Sequence, residues 1–350
     1  MKLHLIAMAW ALTAGRLRIS STPTLIVLPR MANRLFASGP WAQREELMSH
    51  ERAAAGASYT AFGLRAEAEK IAPGLHVVAT PIGNLKDISF RALSTLAAAD
   101  AVIAEDTRVT SVLLAHYGIA TPLVAYHEHN ARVMRPHLIA RLQAGAALAL
   151  VSDAGTPLVS DPGYKLVQEA LDCGVAVTAV PGPSAVLAAL VVAGLPTDRF
   201  FFEGFLPHKS GPRRARLAEL SRIPGTLVFF ESPRRLKETL EDCVAALGDR
   251  EAAIARELTK LFETVRRGTV AKLLAALAEE EPPKGEIVLL VAPPQPGAFE
   301  ANDAEIDARL EAALAEHSVK DAASVVAAAT GQPRREIYAR ALLLNSAREK

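Results

Sequence analysis

From residue 74 onward the chain alternates with unusual regularity. LHVVA, AVIAE, PLVAY, ALALVSD and VAVTAVPG are short apolar runs rich in β-branched residues, and each is followed by a longer segment of helical period. That alternation restricts the fold to α/β. Strands joined through helices run parallel, and a parallel sheet needs helices on both faces, which is why its strands are apolar throughout. Helix signals agree: Asp87 precedes ISFRALSTLAAA, Thr107 opens RVTSVLLAHY before Gly118, and Ser184 opens AVLAALVVA before Gly194. The five runs occupy residues 74 to about 195, the length of one domain.

In such a sheet all strand ends point the same way, so the loops beyond them share one edge. TPIGN (80–84), SDAGTP (152–157) and PGPSA (181–185) fall there. Together they offer backbone donors and acceptors, small residues for close approach, and a helix N-terminus at Ser184. Within VSDAGTPLVSDPG (151–163), Asp161 can cap the next helix, Pro162 suits its first turn and Gly174 its end. Ser152 to Pro157 are not needed for that, and TPIGN alone reads as an ordinary turn. The coincidence of three Gly/Pro loops points to a ligand crevice. No G-x-G-x-x-G follows the first strand, and G-x-x-x-x-G-K-[ST] and G-x-S-x-G are absent from the sequence.

Beyond 195, LPTDRFFFEGFLPHKSGPRRAR turns aromatic, then Gly-Pro-rich, then basic, which predicts a domain junction followed by an exposed loop. TLVFFE, AAIARE, ETVRRG and EIVLLVAP follow as strands, with helices from Ser232–Pro233 to Gly248 and in AKLLAALAEE. Short spacing between Glu257 and Val270 suggests antiparallel pairing and a mixed sheet. After PPQPG, residues 302–344 hold three short helical patterns with a turn at GQPRR.

The 350 residues carry a net charge of only +1, so nucleic-acid contact would rest on local basic patches. HKSGPRRAR supplies Lys209, Arg213, Arg214 and Arg216, plus His208 when protonated. SPRRLK supplies Arg234 and Arg235. The two cysteines, Cys173 and Cys243, form no CxxC, which disfavours a zinc site and fits a reducing compartment. YHEHN (126–130) alternates His127 and His129, but two histidines without a third ligand are thin grounds for a metal; polar lining near substrate or a subunit contact is the expected use. No apolar stretch has the length of a membrane span. MKLHLIAMAWALTAG imitates a signal peptide, yet His4 interrupts it, and Arg16 and Arg18 precede a second apolar patch, TLIVL. Residues 1–72 are therefore expected to be a disordered extension, or to reflect a start placed upstream of Met31 or Met48.

VVATPIGNLKDIS, AEDTRVT, AYHEHN, VSDAGTPLVSDPG, PGPSA, GFLP, FFESPRR, ARELTK and KGEIVLLV, in this order from about Gly74 to Val291, resemble the ribosomal RNA small subunit methyltransferase I family. That family belongs to the tetrapyrrole-methylase type of S-adenosylmethionine-dependent enzymes. The resemblance implies a two-domain α/β fold, with a parallel five-stranded N-terminal sheet (73–195) and a mixed-sheet second domain (196–295). PRREIYARALLL resembles a helix-turn-helix-like end within a small helical tail (302–350). The implied activity is methylation of the 2′-hydroxyl of a cytidine in the decoding region of small-subunit ribosomal RNA, by a cytoplasmic homodimer that binds its cofactor between the domains. Carried over by position, Asp153, Gly155 and Thr156 are expected at S-adenosylmethionine. Pro81 and Ile82 are expected to line the same pocket, Ser184 and Ala185 to meet the adenosyl or methionyl part, and Glu231 and Glu286 to close over it.

A ribose hydroxyl is a poor acid, so a base or a polarising cation should assist. Asp106 and Lys260 are the candidates for that catalytic role, although Asp106 can equally cap the helix at Thr107 and Lys260 would need a lowered pKa to act as base. Two other readings stay open: methylation of a tetrapyrrole or other small molecule, and a non-catalytic RNA-binding ribosome-assembly factor.

Overall fold

The computed structural model describes residues 57–160, 163–280, 283–295, 303–330 and 332–348. The signal-peptide-like start, Met31 and Met48, and the cap assigned to Asp161 with Pro162 lie outside them.

Strands β1 (Ser58–Ala61) and β2 (Leu64–Glu67) form an antiparallel hairpin. Thr60 N–H donates to the Tyr117 carbonyl at 2.7 Å, and Tyr59, Ala61, Ala68 and Ile71 pack on the first core. This part of the stretch expected to be a disordered extension is therefore ordered; its four-residue strands are too short to stand out as a period in the sequence.

Strands β3 (Gly74–Val78), β4 (Ala101–Ala104), β5 (Leu123–Ala125), β6 (Ala147–Leu150) and β7 (Val177–Val180) form the parallel sheet, ordered β5-β4-β6-β3-β7. β4 and β6 are buried at every position, and the pleat divides them between two cores. Val102, Ala104, Ala149 and Val151 face one side; Ala101, Ile103, Leu148 and Leu150 face the other. Helices α1 (Phe90–Ala98), α2 (Thr107–His116), α3 (Ala131–Gln143) and α4 (Tyr164–Asp172) cover those faces. One cap differs by a small step from the sequence reading. Ser89, rather than Asp87, caps α1, whereas α2 begins at Thr107 with Asp106 as its cap, as the sequence allowed.

Helix α5 (Ala185–Ala193) begins at the Ser184 cap and ends at Gly194 with φ 72°. It is apolar all round, and one face of it is used at a joint between the sheets, while Leu187 and Val191 remain exposed. Val186, Ala189, Leu190 and Ala193 pack with Val228, Ala253, Ala255, Val288 and Leu290 of the second sheet, and Ile82 joins the same cluster. The helix that closes the first domain is therefore the joint to the second.

The second sheet comprises β8 (Phe200–Phe205), β9 (Thr226–Glu231), β10 (Glu251–Arg256), β11 (Thr264–Thr269) and β12 (Ile287–Val291), ordered β11-β10-β12-β9-β8. Only the β8–β9 pairing is parallel, so the sheet is mixed. FFFEGF, read as part of a junction, is an edge strand, and the basic segment after it is helix α6 (Ser210–Leu220) rather than an exposed loop. Leu217 and Leu220 anchor that helix in the second core, beside α7 (Leu236–Leu247) and α8 (Val270–Ala278). The tail forms α9 (Asp303–Leu314), α10 (Val319–Thr330) and α11 (Arg334–Arg348), packed around Ile306, Leu310, Val326 and Ile337 with an Arg340–Asp307 ion pair. Among the described residues no helix is long and apolar enough to cross a membrane.

Candidate functional site

Because β6, β3 and β7 are neighbours in the sheet, the loops at their carboxyl ends meet. Thr80 and Gly155 form a two-hydrogen-bond bridge, the Thr80 hydroxyl donates to the Ser152 carbonyl at 3.2 Å, and the Thr156 hydroxyl donates to the Pro183 carbonyl at 3.1 Å. The three loops become one surface. Gly155 holds φ at 81°, and a Cβ there would stand 3.3 Å from Ile82 Cγ2, so the close fit depends on glycine.

A cavity of about 400 Å³ lies against this surface and is closed from the other side by the second domain. Ile82, Gly155, Thr156, Ser184, Ala185, Glu231 and Glu286, all expected at a cofactor, line it. Pro81 and Asp153 do not. Pro81 is buried in the turn behind Ile82, and the Asp153 carboxylate accepts the Asp106 backbone N–H at 3.0 Å. The lining also includes residues that the sequence did not single out: Val159, Ser160, Phe205, Phe230 and Gly285. Phe205 and Phe230 stood inside quoted strings, GFLP and FFES, but nothing local shows that an edge strand turns its aromatic end toward a crevice.

Glu231 is buried, and its oxygens accept from the Ser232 N–H at 2.7 Å and the Thr239 hydroxyl at 2.6 Å, with Arg235 Nε 3.4 Å away. It braces the cavity from behind. Glu286 belongs to a second brace. Lys260 Nζ lies 2.9 Å from Glu257 and 3.1 Å from Glu286, while the Glu286 N–H donates to Glu257 at 2.9 Å. The Lys260 stem crosses the TPIGN loop so closely that a Cβ on Gly83 would fall 2.4 Å from its Cγ. Burial draws the Lys260 pKa down, but hydrogen bonds to Glu257 and Glu286 outweigh this and raise it. The ammonium is therefore a fixed cation at neutral pH.

Asp106 caps α2 by accepting from the Arg108 N–H at 2.8 Å, and it also pairs with the Arg108 guanidinium. Those hydrogen bonds, the side-chain one foremost, hold its carboxyl down to about 2, which makes it a weak proton acceptor.

The basic residues divide sharply. Arg213 is 1% exposed, its Nε 2.7 Å from Asp242, so its expected contact with RNA phosphate is corrected: it is a buried structural ion. A polar group that deep needs a partner, and Asp242 arrives from α7 to provide it. Arg214 shares Asp242 at 2.5 Å, and Arg216 grips Glu203 with two hydrogen bonds. Arg235 donates to the Leu206 carbonyl at 2.8 Å and the Pro207 carbonyl at 3.2 Å; the exposed cations of the two basic segments are Lys209, Arg214, Arg234 and Lys237, of which Arg214 is paired with Asp242. In YHEHN the His127 and His129 rings lie 6.0 Å apart, and no group of three or more His, Cys, Asp or Glu placed to hold a metal occurs among the described residues.

A parallel sheet whose end loops, with a second mixed sheet, enclose one cavity defines the tetrapyrrole-methylase class. Residues 74–274 match the family profile of Tetrapyrrole (Corrin/Porphyrin) Methylases, and residues 300–345 match that of the RsmI C-terminal HTH domain. Diphthine synthase shares the fold at 19% identity, with a TM-score of 0.50, over 62% of this chain and 89% of that one. A conserved hypothetical protein of Aeropyrum pernix K1 does so at 18% identity and 0.51, over 77% and 96%.

Within that class the chain belongs to the ribosomal RNA small subunit methyltransferase I family. It is 55% identical to the protein of that name from Mesorhizobium japonicum, over 79% of this chain and 94% of the relative. The Escherichia coli O157:H7 relative is 47% identical, over 77% and 94%. The protein is a methyltransferase whose cofactor is S-adenosylmethionine. The cavity fits that group: its volume suits a nucleoside joined to an amino acid, and its lining is mostly apolar with the hydroxyl-bearing Thr156, Ser160, Ser184 and Ser232 among it.

Proposed function

We propose that the protein transfers a methyl group to the 2′-hydroxyl of a cytidine in the decoding region of 16S ribosomal RNA, acting in the cytoplasm as a homodimer on the small subunit. The observation that carries this reading is the two-domain cavity, which gathers seven residues expected at the cofactor in a chain whose relatives bear the name of a small-subunit RNA methyltransferase. The match of residues 300–345 to the RsmI C-terminal HTH domain and the relatives' name favour ribosomal RNA over a tetrapyrrole as substrate.

In this reading Gly155 and Ile82 form the floor that admits the nucleoside, and Thr156 and the α5 N-terminus at Ser184 and Ala185 supply polar contacts for it. S-adenosylmethionine, when bound, supplies a methyl group already activated by sulfonium charge. The chain's own contribution is alignment and exclusion of water, which suffices for much of the rate gain when two reactants are held in line. Glu231 and Glu286, held by Thr239 and Lys260, keep the second domain's wall in place. Lys260 and Asp106 act as fixed charges that hold the loops around the reacting groups; neither is poised to remove the hydroxyl proton.

The test is methyl transfer from labelled S-adenosylmethionine to small subunits from cells lacking the modification, with the modified nucleotide mapped and free RNA assayed beside them. A single 2′-O-methylcytidine is the expected product. Label on a base, or transfer only to a tetrapyrrole, overturns the reading. Cofactor binding without any transfer favours the assembly-factor alternative.

A further inference from the structure

One rim of the cavity is built from two turns that the sequence places far apart. The first runs from Phe205 at the end of β8 to Lys209; the second is Ser232–Arg235, after β9. Arg235 ties them together by donating to the Leu206 and Pro207 carbonyls, with its guanidinium 3.3 Å from His208 Nδ1. Ser232 and Pro233 of the second turn line the cavity, as does Phe205 of the first.

This rim presents an aromatic ring and two cations. Phe205 is 58% exposed although it borders the cavity, and its inner edge rests on Phe230, ring centroids 5.7 Å apart. Phe230 braces the ring, which stands at the border between the cavity and the rim turns. Lys209 and Arg234, both exposed, stand on the same two turns. An aromatic platform flanked by positive charge is the chemistry that receives single-stranded nucleic acid: the ring stacks on a base, and the cations meet phosphates.

We propose that Phe205 is the stacking platform for the base of the nucleotide being methylated, and that Lys209 and Arg234 hold the flanking phosphates. The ribose then enters the cavity mouth while its unstacked base rests on the ring. Arg235 is the positioning residue that keeps the two turns in register. This inference rests on the RNA reading given above.

The experiment compares wild-type protein with Phe205→Ala, Phe205→Leu and Phe205→Trp, measuring S-adenosylmethionine Kd by calorimetry, and KM and kcat on small subunits. Expected is a rise in KM for subunits of about tenfold or more in the Ala and Leu variants, with restoration in Trp, and in each case a change larger than any in cofactor Kd, since the ring also borders the cavity. A weakened cofactor Kd with unchanged KM assigns the ring to the cofactor's adenine and overturns the proposal, as does no change in either. If wild-type protein binds cofactor but methylates no RNA, the parent reading fails; if it methylates and Phe205→Ala matches it, this inference alone fails.

Discussion

Thr80 and Gly155, seventy-five residues apart in the chain, exchange two backbone hydrogen bonds: Thr80 N–H to the Gly155 carbonyl at 2.8 Å, and Gly155 N–H to the Thr80 carbonyl at 3.0 Å. The bridge is antiparallel, unlike the parallel pairing of β3 with β6, because the chain has turned by Gly155, and it locks the two loops into one ligand-facing surface. Side chains contribute little to it, so its sensitivity lies in the glycine.

Gly155→Ala should disturb the cavity at its floor. A non-glycine residue at φ 81° costs about 1–2 kcal/mol, and the added Cβ presses on Ile82. The expected result is a lower Tm together with S-adenosylmethionine binding weakened about tenfold, read by calorimetry; a tenfold change is about 1.4 kcal/mol.

Arg213 and Lys209 should separate stability from RNA binding. Arg213→Ala leaves Asp242 buried with less compensation, and losing one partner of such a pair typically costs about 3–5 kcal/mol. Lys209→Ala and Arg234→Ala should leave Tm nearly unchanged and each reduce the salt dependence of RNA binding by about one counterion. Denaturant titration and filter binding across salt concentrations check the two halves.

Acid should undo the Asp242 cluster. Burial pushes its carboxyl up, but hydrogen bonds from Arg214, Arg213 and Ser210 outweigh this and hold the folded value below the ordinary 3.8. The contribution is therefore fully present above about pH 4 and is lost as pH falls through the lower folded value. Asp242→Asn should flatten the acid limb of the stability curve, measured by urea unfolding between pH 2 and pH 6.

Gly83 and Lys260 should behave as one unit. A Cβ on Gly83 would meet Lys260 Cγ at 2.4 Å, so Gly83→Ala displaces the lysine from Glu286 and should weaken cofactor binding. In a Lys260→Ala background the same change should cost much less. A double-mutant cycle on cofactor Kd gives the coupling, and additive effects would show that the contact carries none.

Asp106→Asn is expected to lower kcat by less than about tenfold, because a side chain that only caps and pairs with Arg108 contributes far less than the 10²–10⁴ of a general base. A loss of that larger size would restore Asp106 as the proton acceptor.

Local pattern was enough for much of this protein. LHVVA, AVIAE and ALAL announced buried parallel strands, because full burial leaves no polar face to interrupt an apolar run. Ser184 and Gly194 marked the ends of α5 because capping chemistry is local. From the strand direction it followed that TPIGN, SDAGTP and PGPSA would meet.

Tertiary structure alone decided which charges are free. Arg213 and Arg214 are neighbours in one basic run, yet one is buried against Asp242 while the other is 57% exposed, because the helix that FFFEGF precedes turns successive residues toward core and solvent. Asp242 lies 29 residues beyond Arg213, and no local signal pairs them. Lys260 likewise became a clasp across Gly83 only when two domains closed. Periodicity and capping are set by near neighbours in the chain, whereas burial, ion pairing and the shape of a cavity depend on segments that folding alone brings together.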